Sequence, residues 1–144
     1  MALGAAFMGC KSADQARQGY LASVEIIGHE AAEIQEATTK VFAENGYERA
    51  TGLVFEKKGS TWNSLAYGGW SRQPVWVRVR VSLRPHGASR QILGCNAFFV
   101  RDRGGDSLEE ERKLWMSRRG ECEKMLNQIK ARVESQRPAP EPPP

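Results

Sequence analysis

The chain has 144 residues, with 21 Lys and Arg against 17 Asp and Glu, 40% hydrophobic and 26% charged residues, three Cys and two His. That is enough for one domain burying roughly 70% of the surface its unfolded form exposes, and the lack of any apolar run near ~18 residues excludes a spanning helix. The same composition excludes collagen, a coiled coil and a wholly disordered chain.

Residues 1–10, Met1-Ala-Leu-Gly-Ala-Ala-Phe-Met-Gly-Cys10, are uncharged and small or apolar, and Lys11, Ser12, Asp14, Gln15 and Arg17 turn abruptly polar. This profile resembles the end of a signal peptide, and Phe7-Met8-Gly9-Cys10 resembles the lipobox of bacterial lipoproteins. The resemblance implies cleavage before Cys10 and diacylglycerol on its thiol. Each buried CH₂ of such a chain contributes ~0.8 kcal/mol, and more than one chain gives a stable anchor. No basic stretch precedes the apolar one, so the same resemblance implies a start upstream, with Met1 inside the hydrophobic region. Residues 11–19 then act as a tether, and Lys11 after the lipidated Cys implies sorting to the outer membrane, with the domain facing the periplasm.

Once Cys10 is committed to lipid, Cys95 and Cys122 are an even pair in an oxidising compartment, where disulfides persist. Cys95 alternates with Leu93, Ala97 and Phe99, and Cys122 shares a seven-residue spacing with Leu108, Trp115 and Ile129, so both face the expected core. They are either a disulfide or two buried thiols acting as small hydrophobes.

A single domain is expected over 20–135. Residues 20–27 are β-branched and aromatic enough for a short strand before Gly28. From Glu30 to Asn45, Ile34, Ala37, Val41 and Phe42 recur at helical spacing, Glu30 and Glu33 suit the positive helix end, and Gly46 supplies a left-handed stop. Thr51 to Lys57 alternates as one strand. In residues 75–84, Val75, Val77, Val79, Val81 and Leu83 share one face, while Trp76, Arg78, Arg80, Ser82 and Arg84 share the other, so one face is buried and one is wet. Pro85 to Ala88 turns the chain, and 91–100 returns antiparallel. Ser107 and Glu110 resemble a capping box, and the stripe Leu108, Trp115, Cys122, Met125, Leu126, Ile129 and Val133 predicts one long helix to about residue 135. Residues 136–144, rich in proline, form a solvated, extended tail. The sum is an α+β, two-layer sandwich of order β-α-β-β-β-α, with a mainly antiparallel sheet and both helices on one face.

Motifs for chemistry are missing from the sequence. His29 and His86 have no partner at ligand spacing, and no CxxC, HExxH, GxSxG, GxxxxGK[ST] or GxGxxG occurs, so no metal, cofactor or catalytic residue is assigned. Glu109, Glu110 and Glu111 are read as first-turn carboxylates facing the helix dipole.

Charge, by contrast, is uneven: residues 57–105 hold nine basic and one acidic side chain. Arg78 and Arg80 share the wet face of one strand with Trp76, and the loop before it carries Trp62, Tyr67, Trp70 and Arg72. A loop of about 17 residues is longer than ordinary connections. These seven residues are the candidate partner-binding surface, since Arg offers forked donors and aromatics offer stacking area. Alternatively, the arginines stack on the tryptophans of their own sheet and the face is merely solvated.

The order α-β-β-β-α over 30–135 is that of the double-stranded RNA-binding domain. Where that family carries a Lys cluster, however, this chain has Asp106-Ser-Leu-Glu-Glu-Glu111, which disfavours nucleic acid. In compartment and architecture the chain is similar to small bacterial lipoproteins with compact α/β domains, including helix-grip lipoproteins that accompany outer-membrane assembly. The resulting expectation is a non-catalytic lipoprotein, membrane-bound through its anchor, that binds a protein or envelope component. The alternative is a cytosolic nucleic-acid or polyanion binder using the basic sheet face.

Overall fold

Val77, Val79 and Val81, spaced by two along the most regular alternating segment, are all buried on one side of β4 (Trp76–Pro85). In the computed structural model, which describes residues 17, 19–59, 75–101, 103, 109–114 and 118–136, that strand is central to a six-stranded sheet. The other elements are β1 (Ala22–Ile27), α1 (Ala31–Glu44), β2 (Glu48–Thr51), β3 (Val54–Lys58), β5 (Arg90–Arg101), β6 (Glu110–Lys113) and α2 (Arg119–Ser135). The order across the sheet is β1-β5-β4-β3-β2, β6 also pairs with β5, and every pairing is antiparallel. The α+β sandwich expected from the sequence is therefore the fold.

Register defines the two faces. Ala22, Cys95 and Val81 are opposite one another, as are Val24, Leu93 and Leu83, and Phe55, Val79 and Ala97. These side chains meet Ile34, Ala37, Val41 and Phe42 of α1 and Cys122, Met125, Leu126, Ile129 and Val133 of α2 in one core. Phe42 is fully buried there, stacked on Phe55 with ring centroids 4.3 Å apart and edge-on to Tyr47 at 5.3 Å. Thr38 is buried among them because its hydroxyl donates to the Ile34 carbonyl at 2.7 Å, which satisfies the group inside its own helix. Gly46 ends α1 at φ +85°, the left-handed conformation that glycine adopts without strain.

Three expectations are corrected. The segment 51–57 is not one strand: the chain reverses at Gly52 (φ +51°) and Leu53, so β2 and β3 form a hairpin. Alternation continued across the turn residues and hid the reversal. Nor does a helix run from 107 to 135. Glu110 to Lys113 form β6, α2 begins at Arg119, and the Ser107–Glu110 capping box does not form because Glu110 is in a strand. The physical cause is the length of β5, whose twelve residues exceed the six of β1; β6 takes up the ladder at 98–101 that β1 leaves open. Finally, Glu110 and Glu111 are strand residues and no part of a helix N-terminus. Leu108 and Trp115 lie outside the described residues, whereas the stripe from Cys122 to Val133 is buried as expected.

At the join of β1 and β5, the N–H of Leu21 donates to the Asn96 Oδ1 at 3.0 Å, and the Tyr20 ring lies over Gly94. A Cβ on Gly94 would sit 2.5 Å from ring atoms Cγ and Cδ2. Gly94→Ala should therefore cost on the order of 1–2 kcal/mol, as overpacking does, and much less in a Tyr20→Ala background. Urea melts of the four proteins measure this, and an equal loss in both backgrounds would locate the cause in the backbone.

Candidate binding face

The helices cover one side of the sheet, and the candidate residues Trp76, Arg78 and Arg80 project from the other, as their period of two requires. Arg84, Phe98 and Glu56 share that side by register. Ile92 and Val100 are also on it; both are fully buried and lie outside the helix-side core. The second face therefore has apolar filling of its own beneath its charges.

Arg78 is the hub. Its side chain is only 12% exposed, with Glu56 directly opposite on β3 at 3.6 Å, Glu111 of β6 at 3.1 Å and Glu109 at 2.5 Å. Glu111 also takes Arg80 at 2.7 Å, and Glu56 takes Arg103 at 2.6 Å. Glu56 is the deepest carboxylate of the group, its side chain 5% exposed, and its Oε2 lacks an aligned hydrogen bond despite both ion pairs. The Arg78 hydrogen bond holds the Glu109 carboxyl below its usual value and raises the Arg78 guanidinium above its own. Arginine planes also cap aromatic rings: Arg103 over Trp76 at 4.0 Å, Arg80 over Phe98 at 5.0 Å and Arg84 over Tyr20 at 5.6 Å. Such stacking adds about 0.5–1 kcal/mol where exposed and more where water is excluded.

The structure thus brings Trp76, Arg78 and Arg80 together. Trp62, Tyr67, Trp70 and Arg72 lie outside the described residues, as does Cys10. Sequence reading missed Glu56, Phe98, Arg103, Glu109 and Glu111. The one available signal was the clustering of Glu109–Glu111, which the structure turns from a helix terminus into a carboxylate clamp. Three arginines against three glutamates make this part of the face locally neutral, whatever the basic excess of the segment.

Elsewhere, Cys95 and Cys122 are both buried and both free thiols, the second of the two alternatives their spacing allowed. A groove of about 460 Å³ separates α1 from the β2–β3 hairpin, bordered by Gln35, Thr39, Arg49 and Leu53. Between the two helices, the Tyr47 hydroxyl donates to Glu121 at 3.1 Å; burial, then the Glu121 charge, push its pKa above the usual phenol range. Among the described residues no helix is long and apolar enough to cross a membrane, and no three His, Cys, Asp or Glu are grouped to hold a metal ion. Compared with known protein families, curated proteins and solved structures, the chain gives no match.

Proposed function

We propose that this protein is a non-catalytic interaction module of the bacterial cell envelope, tethered to the outer membrane by lipid on Cys10 and binding a protein or envelope partner on the periplasmic side. The observation that supports a binding face is the set of half-buried rings, Trp76 and Phe98, each capped by a guanidinium within one ion-pair network. Tryptophan, arginine and their packed surroundings are what interface hot spots are made of, and a prearranged network loses little freedom on binding. The tether rests on Phe7-Met8-Gly9-Cys10 and the polar stretch after it. The polyanion reading is weakened by the carboxylates already paired with Arg78 and Arg80, which a phosphate backbone would have to displace.

The test is expression from the native upstream region in a bacterial host, with labelled palmitate and intact mass on separated membrane and soluble fractions. The expected species is membrane-bound, begins at Cys10, carries lipid mass and is lost in Cys10→Ala. A soluble species retaining Met1 and an unmodified Cys10 would overturn the tether. For the face, chemical crosslinking in envelope preparations should give a partner adduct that Trp76→Ala with Arg80→Ala removes, while circular dichroism stays unchanged. Arg80, half exposed at 50%, suits that test better than Arg78.

A further inference from the structure

The core holds one group that packing alone does not account for. Cys95 sits in mid-sheet on β5, opposite Ala22 on one side and Val81 on the other, with no exposed surface. Cys122 comes to the same core from the first turn of α2, 2% exposed, and each thiol shifts the proton affinity of the other. A bridge between two such elements brings the sulfurs to ~2 Å with the Cα atoms within about 7 Å of each other.

We propose that Cys95 and Cys122 are a redox couple, interconverting between the paired thiols of this structure and a disulfide that fastens the start of α2 to the middle of β5. The proposal stands apart from the lipid tether and the binding face.

The two sulfurs have unequal roles. Arg118, which precedes α2, makes no side-chain capping bond, and Gly120 in the first turn has open space where a Cβ would be. That turn is held by the Arg118–Glu121 and Arg119–Glu123 pairs, each worth little, and by the Tyr47 hydroxyl on Glu121. Fraying of one turn exposes Cys122, while Cys95 stays locked between two ladders. The Cys95 S–H donating to Cys122 holds the Cys122 thiol below its usual value, and the positive helix end favours a thiolate there. Cys95 is pushed up by the same bond and by burial.

Cys122 is therefore the attacking sulfur and Cys95 the resolving one. The Cys122 thiolate attacks a low-molecular-weight disulfide such as oxidised glutathione, forming a mixed disulfide and releasing one small thiolate. Cys95 then gives its proton to solvent and attacks the Cys122 sulfur, and the second small thiolate leaves. Two protein thiols and one small disulfide become one protein disulfide and two small thiols, with two electrons passing from the protein pair to the oxidant.

The test uses the full chain with Cys10→Ser, folded, incubated with oxidised glutathione, quenched in acid and mapped without reductant. Free thiols should fall from two to zero with a single Cys95–Cys122 linked peptide. The bridge closes a loop of about 28 residues, so Tm should rise on the order of 10 °C and return with reductant. Adding Cys95→Ser should trap a glutathione adduct on Cys122, whereas adding Cys122→Ser should leave Cys95 unmodified. Two retained thiols, a persistent adduct in the protein with both cysteines, or a bridge between two molecules would overturn the couple. Faster adduct formation on Cys95 would overturn the assigned roles.

Discussion

Arg78→Met should lower the unfolding free energy by about 3 kcal/mol, because it leaves a nearly buried carboxylate, Glu56, with Arg103 as its remaining cation in the network. The loss comes less from any single attraction than from Glu56, Glu109 and Glu111 together losing the cation they share. Arg78→Met combined with Glu56→Leu should recover most of it, since a buried ion pair replaced by packed apolar groups is close to neutral. Acid sensitivity gives an independent readout. The Arg78 hydrogen bond holds the Glu109 carboxyl below the usual carboxylate range, so its contribution is fully present above that range and disappears as pH falls through the lowered folded value. Wild-type stability should therefore drop on the acid side more steeply than that of Arg78→Met. Urea midpoints at several pH values measure both effects. A loss under ~0.5 kcal/mol, the size of an ordinary surface substitution, would mean that the network contributes no more than exposed ion pairs do.

Phe42→Ala should be costlier still, about 4 kcal/mol, as expected for a fully buried aromatic whose cavity refills poorly. The ring is held by Phe55 face to face and by Tyr47 edge-on, so its removal loosens the seam between α1 and the β2–β3 hairpin. Against a typical total of about 5–15 kcal/mol, the variant sits near the edge of folding. Phe55→Ala added to it should cost clearly less than Phe55→Ala alone, because stacked residues share their energy. Strict additivity in the urea melts would show that the two rings act independently.

What the sequence disclosed follows from how far each signal reaches. The alternation of Val75 to Leu83 and the helical spacing of Ile34, Ala37, Val41 and Phe42 lie within one window, and both elements formed where expected. Placing Trp76, Arg78 and Arg80 on a common face needed only period two. β6 was invisible because Glu110-Glu111-Arg112-Lys113 has no strand preference of its own; it is a strand because β5 offers it unpaired backbone. The ion-pair network stayed hidden for a related reason. Glu56 meets Arg78 through the β3–β4 register, and Glu109 and Glu111 reach it across β5, which are relations between segments that no local pattern encodes.

The pairing of β1 with β5 also dictates the order in which the molecule assembles. Ala22 finds its partner in Cys95, ~70 residues later, so at about 5–20 residues per second β1 waits roughly 4–14 seconds on the ribosome for the strand it joins. The β4–β5 hairpin, by contrast, closes across a short turn in which the N–H of His86 donates to the Arg90 carbonyl at 2.9 Å, and it can zip as soon as it emerges. During translation, then, the hairpin serves as the template, and its unpaired β5 edge stays open until both β1 and the late-arriving β6 have docked end to end along it.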